Sequence, residues 1–235
     1  FNTSLGSLSM GLGITTGDNN VAVGYSAGLD LISGASNVLV GNYAGANITT
    51  GLANTSVGHL SLSTNQDGDY NTALGFKALE DFEADTDGHG NNTAIGASAM
   101  LNASTGTENT AIGMNAMGVG IVTGDFNVAL GFNTGYALTS GQRNTLIGSL
   151  AGDGLSTGQH NVAVGYGALS ATDAGDYNVA VGSGALSVQN ASGGSADPGV
   201  DFYNTSVGYH AGLSVTTGTY NTIMGGLAGD ALTSG

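Results

Sequence analysis

The sequence predicts an all-β fold, a parallel β-solenoid or β-roll of about thirteen coils of 17 residues each. Three observations predict it: a five-residue phrase that recurs thirteen times, a glycine that ends every copy with a second glycine before the next phrase in most, and apolar residues alternating within the phrase. The phrase, Asn-Val-Ala-Val-Gly at 20–24, starts at Asn2, Asn20, Asn37, Asn54, Asn71, Asn92, Asn109, Asn127, Asn144, Asn161, Asn178, Asn204 and Asn221. Successive asparagines are 18, 17, 17, 17, 21, 17, 18, 17, 17, 17, 26 and 17 residues apart. A repeat this short is one supersecondary unit that buries no core alone, so neighbouring copies must stack.

Counting the asparagine as position 0, position 1 is Thr in eight copies and Val in five, and position 3 is always aliphatic or Met. That alternation of β-branched and apolar residues predicts a strand. Position 2 between them is Ala in seven copies, Ser in three, and Leu39, Leu146 or Ile223 in the rest. Both strand faces are then largely apolar: one fills the inside of a coil and the other needs a partner. The small residue at position 2 is read as letting walls of neighbouring chains approach closely around an axis.

The strand ends in glycine at Gly6, Gly24, Gly41, Gly58, Gly75, Gly96, Gly113, Gly131, Gly148, Gly165, Gly182, Gly208 and Gly225, which predicts a sharp corner. A second short strand is expected after it, carrying Ala at position 7 in ten copies. Ser/Thr-Gly shortly before the next asparagine is the chemistry of a second turn. Thirteen rungs about 4.8 Å apart make a rod roughly 60 Å long. The recurrent asparagine predicts a hydrogen-bonded ladder at a corner, with coordination of an axial ion between chains as the competing reading.

Composition agrees with the repeat. The 43 Gly of 235 residues carry no Gly-X-Y period and there is a single Pro, which excludes collagen. The absence of Cys excludes a disulfide framework or thiolate metal site. Lys77 and Arg143 are the only basic side chains, and a net charge of −15 argues against nucleic acid or an anionic membrane as partner. No apolar run approaches a membrane span, so no membrane insertion is expected. The chain begins inside a repeat at Phe1-Asn2-Thr3 and stops at Gly235 with no polar cap, so it is expected to be one repetitive segment of a longer protein.

Two insertions interrupt the period, at about 80–90 and 187–203, both between position 8 and the next asparagine. The first holds Glu83, Asp85 and Asp87 on alternate residues before Gly88, which resembles the opening half of a calcium loop. Its closing glutamate is missing, because Ala94 stands at the twelfth position, and a solvated acidic loop is the competing reading. Insertions on one edge of a solenoid mark an exposed edge that often binds. His59, His89, His160 and His210 lack metal-ligand spacing, and no carboxylate pair or nucleophile elbow is visible. No catalysis and no cofactor are expected beyond a structural calcium or axial ion.

Aromatics recur just before the asparagine, as at Tyr203, and just after the strand glycine, as at Tyr25, Tyr166 and Tyr209. Such rows form either a corner ladder packed on itself or, with Phe202, a surface that contacts sugar rings.

The phrase Asn-Thr-Ala-Ile-Gly at 92–96 and 109–113, followed by a small-residue segment and Thr/Ser-Gly, resembles the repeat shafts of bacteriophage tail fibres. It is also similar to the β-roll head of trimeric autotransporter adhesins, although the 17-residue coil favours the fibre group. The resemblance implies a parallel homotrimer and a structural and adhesive role in host attachment. It also implies a glycan or protein receptor at a cell surface and an extracellular, virion or bacterial-surface location. An ice-binding solenoid is the alternative from another class, because Thr recurs after the asparagine. Val21, Val38, Val128, Val162 and Val179 interrupt that row.

Overall fold

A computed structural model of the chain describes residues 1–11, 14–83, 88, 90–189 and 200–234. It is all-β, with no helix among the described residues, and resolves into two compact units, Phe1–Asn115 and Ala116–Gly235. Each unit is a parallel β-solenoid. In the first, β1 (Thr3–Leu5), β2 (Val21–Val23), β3 (Val38–Val40), β4 (Thr55–Val57), β5 (Thr72–Leu74), β6 (Thr93–Ile95) and β7 (Thr110–Ile112) pair in sequence order. In the second, β8 (Val128–Leu130), β9 (Thr145–Ile147), β10 (Val162–Val164), β12 (Val179–Val181), β14 (Thr205–Val207) and β15 (Thr222–Met224) do the same. A two-residue pair, β11 (Gly175–Asp176) with β13 (Val200–Asp201), lies at the second insertion.

Register follows the phrase position for position, as in Val21↔Val38 and Val162↔Val179. It also survives both insertions, because Thr72 pairs with Thr93 and Val179 with Thr205. Register is thus kept whatever the length of chain between successive strands, as expected where loop closure grows only slowly more costly with length.

The buried asparagines form the predicted ladder. Asn161 donates its backbone N–H to Asn144 Oδ1 at 3.0 Å and its Nδ2 to the same oxygen at 3.1 Å. Nδ2 also donates to Gly175 O at 2.8 Å, which ties the start of the coil to its end. The same three bonds recur at Asn20, Asn37 and Asn144. Each amide is thus fully used inside its own wall, the condition for burying such a group without loss.

Two expectations are corrected. The strands are three residues long and alternate outward, inward, outward, so Ala22, Ala73 and Ala163 at position 2 are wholly buried within their coil. The small residue therefore admits the opposite wall of the same coil. It does not face another chain. The segment after the corner is likewise not a second strand. It is a pair of tight turns, with Ala44 N–H donating to Gly41 O at 3.4 Å and Ile48 N–H to Gly45 O at 3.2 Å. Left-handed backbone recurs there at positions 6 and 8, as in Tyr43 (φ 57°), Gly45 (φ 54°), Lys77 (φ 55°) and Leu79 (φ 53°). In the first of the two turns the positive φ falls on the third residue, Tyr43, which gives it the form of a type II turn. Two turns in succession close the coil within seventeen residues, where an extended segment would overshoot.

The core of each coil comes from positions 2, 7, 8 and 11. Where position 8 is Leu or Met (Leu62, Met100, Met117, Leu169), position 11 is Asn65, Ala103, Gly120 or Thr172. Where position 8 is Gly (Gly28, Gly45, Gly152), position 11 is the buried Leu31, Ile48 or Leu155. In these coils the apolar volume moves between two neighbouring sites and keeps the interior filled, whereas Leu79 and Phe82 bury a large side chain at both in the coil of the first insertion.

Candidate functional site

Three surfaces of the solenoid carry features beyond its own construction: the outward strand face, the aromatic columns at the corners, and a hollow in the second unit. The outward face is built by positions 1 and 3, which alternate with the buried position 2 and so point to solvent. It presents Thr or Val beside Val, Ile, Leu or Met and carries no charged residue, with Leu74 and Leu130 each 45% exposed.

The column just before the asparagine stacks on itself in the second unit. The rings of His160, Tyr177, Tyr203 and Tyr220 lie 5.0, 4.9 and 5.1 Å apart in succession, at interplanar angles of 7°, 6° and 16°. Tyr203 has a neighbour on both ring faces, so its edge is what solvent reaches; its hydroxyl donates to Asp201 Oδ2 at 3.2 Å. Phe202 is corrected as a surface contact. Only 1% of it is exposed, and its ring fills the space where a Cβ on Gly175 would stand. Tyr25 meets Tyr43 edge to face at 5.4 Å.

Tyr166 and Tyr209, both at position 5, are different. They are 61% and 57% exposed and line a single hollow of about 420 Å³. Three consecutive coils supply its walls from three columns: Tyr166, Ser183 and Tyr209 at position 5, Gly167, Gly184 and His210 at position 6, and Ser170, Ser187 and Leu213 at position 9. The hollow exists because two successive copies carry Gly at position 6, where every other copy carries a side chain. A Cβ on Gly167 would meet nothing within 4 Å. The His210 ring lies over Gly184 and stacks on Tyr209, with centroids 3.9 Å apart. Sequence reading singled out the two tyrosines but missed the rest. The paired glycines in one column of the aligned repeat were the available signal.

The acidic insertion is described only in part, since Asp85 and Asp87 lie outside the described residues. Glu83 is half-buried, and burial followed by repulsion from Asp67 holds its carboxyl above the usual range. Among the described residues, no group of three or more His, Asp or Glu is placed to hold a metal ion. The two basic side chains are engaged: Lys77 Nζ pairs with Glu80 Oε2 at 3.0 Å, and Arg143 lies 5.4 Å from the Phe126 ring and donates to Gln142 Oε1 at 3.3 Å. No helix among the described residues is long and apolar enough to cross a membrane.

Compared with known families, curated proteins and solved structures, the chain matches no family model, no curated protein and no solved structure.

Proposed function

We propose that the chain is a non-catalytic structural and adhesive fibre segment, a shaft for surface attachment that assembles as a parallel homotrimer. The observation that carries this reading is the outward strand face. It is an uncharged wall of β-branched and aliphatic side chains, repeated coil after coil on a chain of net charge −15. Such a wall is self-complementary, because the same row on a second copy meets it without bringing carboxylates together. Burial at about 25 cal/mol per Å² accumulates over successive rungs into a stable association. The number of copies and the exposed location, on a virion or a bacterial surface, follow from the resemblance of the repeat to fibre shafts and adhesin heads.

The test is the solution mass by sedimentation equilibrium, for the chain and for Leu74→Lys, which changes an outward side chain and leaves the buried Ala73 alone. A mass three times 22.9 kDa that falls towards the monomer in the variant is the expected result. A parent chain that stays monomeric at about 0.1 mM, a concentration at which even weak specific self-association is populated, overturns it.

A second reading draws on the same face. Thr at position 1 stands beside the aliphatic row at position 3 in eight of the thirteen copies, a repeated outward array of the residue type an ice-binding solenoid presents. A monomer that shapes growing ice crystals would replace the fibre by that alternative.

A further inference from the structure

We infer that the hollow between Tyr166 and Tyr209 is a binding site for one neutral pyranose ring, the terminal or internal sugar of a surface glycan. Four features of the hollow converge on that chemistry.

The site has two exposed tyrosines as its aromatic walls, Tyr166 and Tyr209, the second of which is stacked on one side by His210. Elsewhere the corner rings stack on each other, as from His160 to Tyr220, but Tyr166 and Tyr209 are two coils apart with Ser183 between them. At about 4.8 Å per rung the two tyrosines stand roughly 10 Å apart along the stack, and His210, lying over Gly184, borders the space on the Tyr209 side, which leaves the Tyr166 ring beside the open Gly167 as the face for a sugar to stack on. The lining between them is hydroxylic. Ser170, Ser183 and Ser187 contribute O–H groups that both donate and accept, matching the dual character of sugar hydroxyls. Ser170 Oγ donates to Ser187 O at 3.2 Å and keeps its lone pairs for a ligand.

No Lys, Arg, Asp or Glu lines the hollow, and its one basic side chain, the His210 imidazole, is stacked on Tyr209. The net charge of −15 further disfavours an anionic one. Its volume, about 420 Å³, falls in the lower part of the range that holds small ligands. The floor is open by construction. Gly167 at φ 59° has the same backbone as Leu150 at φ 60° in the same column of the preceding coil, so the missing side chain is not demanded by the fold.

This deepens the adhesive half of the proposed function but does not depend on self-association, since every lining residue comes from one chain. The test titrates the 235-residue chain with methyl β-D-glucopyranoside, methyl β-D-galactopyranoside, methyl α-D-mannopyranoside and N-acetylglucosamine. Sialic acid serves as the anionic control. The readouts are saturation-transfer NMR and intrinsic tyrosine fluorescence, which no tryptophan masks. At least one neutral pyranoside should bind saturably, near 1 mM as befits a single shallow ring contact, and more tightly than sialic acid.

Tyr166→Ala and Gly167→Leu should each weaken binding about tenfold or more, the loss of a stacked wall or of the space itself, with melting temperature unchanged. No saturable signal from any neutral pyranoside up to roughly 100 mM, or binding that Gly167→Leu leaves intact, overturns the proposal. Mass measured on the same samples separates the two ideas. A trimer blind to sugars refutes the site alone, and a sugar-binding monomer refutes the trimeric shaft alone.

Discussion

Gly75 and Ala53 show how unequal the demands on single residues are in this coil. Gly75 sits at φ 140°, and an added Cβ would lie 2.6 Å from Gly96 O of the next coil, a backbone atom that cannot yield without shifting the stack. Gly75→Ala combines backbone strain with that clash and should lower stability by about 3 kcal/mol. Ala53 is also left-handed, at φ 55°, but it is exposed and its N–H donates to Ala35 O at 2.9 Å. An L-residue there costs about 1–2 kcal/mol, against which glycine adds about 0.4–1 kcal/mol of unfolded-state entropy. Ala53→Gly should therefore stabilise by roughly 0.5–1 kcal/mol in a chemical denaturation series. Opposite signs for these two glycine–alanine exchanges are the expected outcome. Two destabilisations would mean that the left-handed positions are not strained.

Within one coil the filling of the interior is shared between positions. Leu146 is buried and reaches towards Gly135 and Gly152; a Cβ on Gly152 would meet Leu146 Cδ2 at 2.9 Å and Cδ1 at 3.1 Å. Leu146→Ala opens a cavity there and should cost about 2–5 kcal/mol. Met117 occupies the position of Gly152 in another coil at φ 49°, close to the φ 57° of Gly152, so a long side chain is compatible with that backbone. Adding Gly152→Met to Leu146→Ala should recover at least about 1 kcal/mol, while Gly152→Met alone should destabilise by overpacking. Simple additivity of the two changes would show that volume is not exchanged between these sites.

At the scale of the whole chain the dominant property is its charge. Glu83, Asp153 and Asp176 all have carboxyls held above the usual range, each chiefly by burial; Asp67 adds to the effect on Glu83 and Asp201 to that on Asp176. A carboxyl raised on folding binds its proton more tightly in the native state, so the native state gains stability as pH falls through the raised value. That gain is complete only below the ordinary carboxylate range, and acidification also relieves the self-repulsion of a net charge of −15. The melting temperature should be higher at pH 5 than at pH 7, and Asp153→Asn should reduce the difference. A melting temperature that falls between pH 7 and pH 5 contradicts the argument.

The repeat by itself determined the β-solenoid, the register, the corner glycines and the asparagine ladder. These are local, periodic demands: a strand of alternating residues, a corner without a Cβ, and an amide that must find partners in the next copy. They are written into thirteen copies of one phrase, so each copy corroborates the others. Insertions were legible as interruptions for the same reason. Tertiary structure alone decided which strand face lies inside, because alternation is symmetric until the coil closes and puts Ala22 in and Val21 out. It decided that the segment after the corner turns where a strand was expected, since left-handed Leu and Tyr residues carry no compositional mark. The hollow, too, was settled in three dimensions. Residues 17 apart in sequence, or 26 across the second insertion, become neighbours one rung apart, so two glycines and three serines meet between two tyrosines only once the chain is wound.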